Sequence, residues 1–540
     1  MHYYDDADIL VGAYRMERFA PELITEALDD LRADRAQVVL TAPGVATDTV
    51  SPYYAVAYAQ RGPEAVMLSR WRSDADAPEL YLPEPNPFIA EDLALVPLAE
   101  DNPAVPAVRL ETQRKRIWHR QATDFRVPKG AVFVSFRSPL VSQNASQKAT
   151  AALYTRMVTD AVNEYTYPAL LAGLGFDFYS HAQGISLRVS GYNDKQLALL
   201  EQLLGEIAGQ EFDEARFERV RSDMVRELKN TVARRPTSQL LARLRRATIT
   251  GEFSEEQLAA ELESLDIDGL RAYRAAFWDS ARAEALLYGN HGPADAEALG
   301  TVLDRVLDDG SGEPAVAPRV IAIESGESLA LETEIDHNDA VVAWYLQGED
   351  QSMQARAAVA LTAQILQSGF FQQLRTEQQL GYVVSAFPWR QYDVPGLVLL
   401  VQSPSHDAHD VHDAMKVFLT GVPNDIDAEQ FARHRAALIN DILKPHENLG
   451  ERAEFYWQAI AFRHWNFDQP RELAAALETI EYDQWKAYYA RAMLEMPRSL
   501  LAFSRGGRDM APPLEEAASF NSADALRQAS GYYQIDLNPL

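Results

Sequence analysis

One local pattern occurs twice in this chain. Leu174-Gly175-Phe176, followed by an apolar alternating run over residues 185–190, is matched by Leu380-Gly381-Tyr382, followed by residues 397–402. Farther on, a helix-patterned segment carrying Phe217 is matched by one carrying Phe431, so the offset is a little over two hundred residues in both places. Duplication at that interval predicts two similar units that each mix strands and helices, an α+β architecture in tandem. The length of 540 residues agrees, being too long for one ordinary core and suited to two to four domains.

Periodicity fills in each copy. In the first, residues 131–136 and 185–190 read as strands, and residues 150–167, 196–208 and 213–235 as helices. In the second, residues 340–346, 382–387 and 396–402 read as strands, and residues 355–374, 408–419 and 428–443 as helices. The first hundred residues look like the tail of another domain. There residues 20–31 are amphipathic with Pro21 at a first helical turn, and residues 37–40 and 53–58 are strand candidates. Residues 74–106 crowd prolines with acids, which is linker chemistry.

Composition excludes several classes of function. The chain has no cysteine, so disulfides, thiolate nucleophiles and Cys-ligated metals are out. A formal charge of −29 argues against general binding to nucleic acid or anionic membrane, and no run of eighteen apolar residues offers a membrane span. Met1-His2-Tyr3-Tyr4-Asp5-Asp6 has neither the basic nor the apolar part of a secretory signal, which leaves the compartment open. Against this acidity, Arg216, Arg219, Arg221, Arg226, Lys229, Arg234 and Arg235 crowd one helical segment, either as a solvated face or as a surface for an acidic partner.

The run from Phe370 to Val384 holds an arginine, a tyrosine and a change of period near Gly381, a natural helix stop. Arg375 and Tyr382 lie seven residues apart, so a helix ending at Gly381 allows them to converge on one mouth. The plain alternative is an arginine meeting solvent or an acid, and a tyrosine half-buried in packing. The equivalent of Tyr382 in the first copy is Phe176, which has no hydroxyl.

Phe371, Leu374-Arg375-Thr376, Gln379-Leu380-Gly381-Tyr382 and Pro388 stand in the order and spacing of a signature of the M16 metallopeptidases, the insulysin and pitrilysin family. Gly191-Tyr192-Asn193-Asp194-Lys195-Gln196 is similar to another stretch of that family, from its third domain. The resemblance runs along nearly the whole chain. It implies two related LuxS/MPP-like α/β sandwich domains at residues 106–310 and 311–540, the third and fourth of the family, preceded by the end of the second domain and the inter-half linker at residues 1–105. It also implies a clamshell whose two halves close over a chamber in which peptides are cut.

Such enzymes hold zinc on a His-x-x-Glu-His helix. No Glu is directly followed by His anywhere in this chain, and His446-Glu447 meets Gly450 where a conventional zincin needs histidine. The resemblance therefore places zinc in a complementary N-terminal half, on the same polypeptide or a separate subunit, and this chain is expected to be inactive alone. Tyr382 and Arg375 would serve as the catalytic and substrate-binding pair, stabilising the oxyanion and the substrate carbonyl. The competing readings are a non-catalytic binding or structural relative, and a stand-alone metal protein using His406, His409 and His412. In that segment Asp407 and Asp410 are more simply read as helix cap and dipole partners.

Overall fold

The computed structural model describes residues 4–15, 18–72, 84–209, 211–307, 312–507 and 517–535, so part of the segment read as a linker, residues 74–83, lies outside the described residues. The chain forms two compact units, Met1–Pro85 and Asn86–Leu540.

Met1–Pro85 holds a helix at Pro21–Asp30 with the proline in its first turn, a short pairing of Thr49–Val50 with Ala57–Tyr58, and a helix at Ala65–Trp71. Residues 37–40 form no strand, because an apolar run gains no ladder without a neighbour to pair with. No described residue of this unit is buried, and Tyr53 stands 91% exposed and Leu10 87%.

In Asn86–Leu540 the duplicated pattern is a duplicated sheet. The first sheet orders its strands Leu174–His181, Gly184–Tyr192, Lys129–Arg137, Arg282–Gly289, Lys115–Gln121 and Ala107–Glu111. The second orders Val383–Pro388, Gly396–Ser403, Ala340–Gln347, Ser499–Ser504, Ser328–Glu332 and Ala518–Phe520. In both, the first four strands run antiparallel to their neighbours and the fourth pairs parallel with the fifth. The sixth breaks the correspondence, being antiparallel in the first sheet and parallel in the second.

Each sheet buries both faces, which explains why its central strands read as unbroken apolar runs. On the first sheet, Ile117, Val132, Val134, Phe136, Ala285 and Leu287 face helices of their own copy, including Ala145–Leu171. The alternate residues Trp118, Ala131, Phe133, Leu286 and Tyr288 face Tyr456, Trp457 and Ile460 of helix Leu449–Ala461, which belongs to the other copy. The second sheet is covered reciprocally. Its residues Val341, Ala343, Tyr345, Val398 and Leu400 pack under Leu240, Leu244 and Ala247 of helix Pro236–Thr248, sent across from the first copy. The long helix predicted over residues 213–235 ends at Lys229, and Pro236, favoured at a first helical position, opens this crossing helix.

Residues 86–106 are fastened to the first sheet by side-chain amides. Asn290 Oδ1 accepts from the Val96 N–H, Gln121 Oε1 from Ala99, and Gln121 Nε2 donates to the Pro97 carbonyl, while Phe88 enters the core. The basic residues of helix Glu214–Lys229 pair inside the molecule: Arg219 with Asp160, Arg221 with Glu218, and Lys229 with Glu263. That favours a solvated face over a surface awaiting an acidic partner.

The exchange of helices predicts coupled unfolding. Leu244→Ala and Ile460→Ala, each truncating a fully buried side chain, should each cost about 2–5 kcal/mol and shift one shared urea transition of residues 86–540. Two separable transitions, each sensitive to one variant, would show the sheets to be independent.

Candidate functional site

Helix Met353–Phe370 does not stop at Gly381. It widens into a π-helical turn over Phe371–Glu377, where the Gln378 N–H bonds back to Gln373 and the Leu380 N–H to Leu374. Gln379 then reverses the chain in the left-handed region, φ 54°, at a cost of roughly 1 kcal/mol for a residue with a Cβ. The first copy makes the same reversal with Gly173, φ 78°, one residue before Leu174. Leu374 and Leu380 are buried on either side of the turn and fix it to the core.

Gly381 has a different duty from the expected one. A Cβ there would stand 1.9 Å from the Gln402 carbonyl oxygen, so only glycine lets the chain lie this close to strand Gly396–Ser403. Its own carbonyl accepts from Arg375 Nη1 at 3.0 Å. The guanidinium carbon lies 5.2 Å from the centre of the Tyr382 ring, within cation–π range. Arg375 and Tyr382 therefore do converge, with Tyr382 77% exposed and its phenol carried outward. Arg375 forms no ion pair among the described residues. A half-buried cation with spare N–H groups thus stands beside an exposed hydroxyl.

The three histidines do not gather. His412 is buried edge-on against Trp344, His409 meets Asp413 at 3.3 Å, and His406 meets Ser405. Asp407 caps the helix by accepting from the Asp410 N–H. Among the described residues no group of three or more His, Asp or Glu side chains is arranged to hold a metal ion, so the residues present do not fit zinc.

Residues 1–261 match the family model described as the middle or third domain of peptidase M16, and residues 361–457 match the C-terminal lobe domain 4 of PqqF-like PQQ synthases. The chain belongs to the M16 peptidase family. Over 512 residues this M16 chain is 28% identical to the insulin-degrading enzyme of Homo sapiens, covering 92% of itself and 50% of that enzyme. The A-factor-processing enzyme of Saccharomyces cerevisiae is 24% identical over 496 residues, 90% of this chain and 48% of its own. The chain spans about half the length of the curated relatives it matches. In fold it resembles pitrilysin, with a TM-score of 0.82 at 21% identity, over 96% of this chain and 56% of that one. A Pseudomonas fluorescens structure described as a peptidase M16 inactive domain superposes with a TM-score of 0.56 at 15% identity, over 75% of this chain and 99% of its own.

Two features of this M16 chain escaped the sequence reading. A cavity of about 590 Å³ opens where helix Met353–Phe370 begins, lined also by Pro388, Tyr392, Phe455 and Phe462. Three of its lining residues meet at Asp393, which binds Arg356 at 2.7 Å, Arg390 at 3.1 Å and His464 at 3.2 Å. Burial alone would raise the Asp393 pKa, but the hydrogen bond from His464 and the charge of Arg356 outweigh it and hold it below the usual value. The second feature is Glu284, fully buried beside arginines. Its signal was a lone carboxylate inside the strand-like run Ala283-Glu284-Ala285-Leu286-Leu287.

Gly381→Ala should destabilise the chain by about 1–3 kcal/mol or more, since the clash is with backbone that cannot rotate away. Tyr382→Phe should stay within about 0.5 kcal/mol of the parent, its hydroxyl being exposed. Denaturant titration of the two variants checks both.

Proposed function

We propose that this chain is the substrate-binding half of an M16 endopeptidase and that it acts against a complementary half bearing zinc. The observation that carries this reading is the exposed Tyr382 phenol with the acid-free Arg375 guanidinium against its ring. In a structural wall the exposed Tyr382 hydroxyl has no packing task, and Arg375, beyond its bond to the Gly381 carbonyl, has N–H groups to spare. In peptide hydrolysis both have a chemical task. When water adds to a peptide carbonyl, negative charge grows on oxygen, and an O–H aimed there donates without introducing a competing base. Tyr382 would be that donor, while Arg375 would spend its spare N–H groups on the substrate carbonyl and backbone.

In this reading residues 1–105 are the end of the second domain and a linker, and residues 106–310 and 311–540 are the third and fourth domains. Zinc, for which the described residues here have no ligand set, would supply the activated water from the complementary half. The exposed apolar side chains of Met1–Pro85, among them Phe19, Leu31, Val39 and Tyr54, support a partner of this kind, since that unit has the composition for a core without one. The two halves would enclose a chamber in which peptides are cut. A non-catalytic M16-like binding or structural subunit is the second reading, supported by the likeness in fold to the structure described as a peptidase M16 inactive domain.

Purified alone, the chain should leave peptides intact. Mixed with, or joined to, a half carrying His-x-x-Glu-His, it should give chelator-sensitive cleavage. Tyr382→Phe in that assembly should lower kcat about 10²–10³-fold with a smaller change in KM. Cleavage by the lone chain, or full kcat in the variant, defeats the assignment.

A further inference from the structure

At the end of helix Leu449–Ala461, where it lies on the first sheet, arginines outnumber the carboxylates that meet them. Glu284 is wholly buried and receives Arg137 at 2.9 Å and Arg463 at 3.0 Å, with Arg116 Nη1 at 3.7 Å and the Trp118 indole N–H at 3.3 Å. Arg116 turns its other edge to Glu111, whose side chain is 53% exposed at the rim. Three guanidinium groups thus share two carboxylates, a surplus of one positive charge. His181 does not add to it at neutral pH, because burial first and the charge of Arg137 second push its pKa down to about 4.

The surplus coincides with unmet donors. Arg137 Nε and Nη1, Arg463 Nε and Nη2, and Arg116 Nη1 are buried with no acceptor among the described residues. Arg137 is 4% exposed. Burial lowers the pKa of both Arg137 and Arg463, the second to about 10, against the pull of Glu284. Guanidinium still stays charged at neutral pH, so losing a proton gives no relief. A buried cation short of acceptors is destabilising unless something supplies them.

Backbone geometry concentrates on the same spot. Arg463 follows the helix in the left-handed region, φ 64°, a conformation that costs a residue with a Cβ and that recurs at functional positions. Its neighbour Trp465, 39% exposed, covers Arg116 and Arg463 with ring distances of 4.9 and 5.2 Å. The cluster therefore lies one side chain below the surface, within reach of exchange with solvent.

We propose that Arg116, Arg137 and Arg463 bind one small monovalent anion of halide size, chloride in ordinary buffers, at the seam between the first sheet and the helix from the other copy. The unmet groups are all N–H donors, so the ligand must accept only. A surplus of one charge calls for one negative charge, and the burial of Arg137 selects a small ion over a phosphoryl group or a peptide. Water supplies acceptors but leaves the charge unbalanced and turns its own protons toward cations. Held there, the ion ties Lys129–Arg137 and Lys115–Gln121 to the end of helix Leu449–Ala461, making the docking of the two copies depend on halide.

The test uses the full chain. Chloride replaces gluconate at constant ionic strength, from about 10 to about 300 mM, and the melting midpoint should rise by roughly 2 °C. The ³⁵Cl resonance should broaden in the presence of the protein, and Arg463→Met should abolish both responses while circular dichroism confirms that it folds. Crystals soaked in bromide should show an anomalous peak in hydrogen-bonding reach of Arg137 and Arg463. The bromide experiment needs no variant, so it decides the matter even if Arg463→Met fails to fold. Equal midpoints in chloride and gluconate, or crystals without a bromide peak at the cluster, would overturn the proposal.

Discussion

Everything in the larger unit depends on a debt each sheet owes to the other copy. A sheet apolar on both sides must be covered on both, and each copy's own helices cover only one. Helix Pro236–Thr248 closes the second sheet and helix Leu449–Ala461 closes the first. The exchange is reinforced by polar contacts at its edges, such as Arg188 with Glu454 and Gln391 with Thr248. The turn that ends helix Leu449–Ala461 works in both directions: Arg463 reaches Glu284 on the first sheet, and His464 reaches Asp393 beside the second.

Much of this was written in the sequence. Unbroken apolar runs located the central strands, because burial on two faces leaves them so, and helical periodicity located the long helices, although the one read over residues 213–235 is broken after Lys229. The repeat was legible through Leu174-Gly175 and Leu380-Gly381, whose leucines are buried just after the same left-handed reversal in both copies. The reciprocal covering was hidden, since amphipathicity tells that a helix has an apolar face and not which sheet receives it. Glu284 and its arginines were hidden for a related reason: they come from strands and a turn up to 347 residues apart, Arg116 to Arg463, and only tertiary contact joins them.

The meeting of Arg375 and Tyr382 was legible from their spacing, while the turn that brings them together was placed at the wrong residue. The stop was assigned to Gly381 on the ordinary preference of glycine for positive φ. Gln379 takes that conformation, and Gly381 is needed for the approach to Gln402. A single sequence carries no sign of close backbone contact beyond the glycine itself. The π-helical turn adds to the effect, because winding Phe371–Glu377 more loosely brings the Arg375 side chain over the carbonyl of Gly381.

The crossing of helices also has a consequence in time. A ribosome releases the first sheet, complete through strand Arg282–Gly289, well before it makes the helix that lies on Phe133 and Tyr288. Some 160 further residues, from 289 to 449, must emerge while those aromatic groups face water. Folding that waits on so distant a contact is slow and leaves an adhesive surface open to other chains. The nascent protein is thus most vulnerable midway through its own synthesis, when one half is built and its cover has not yet been translated.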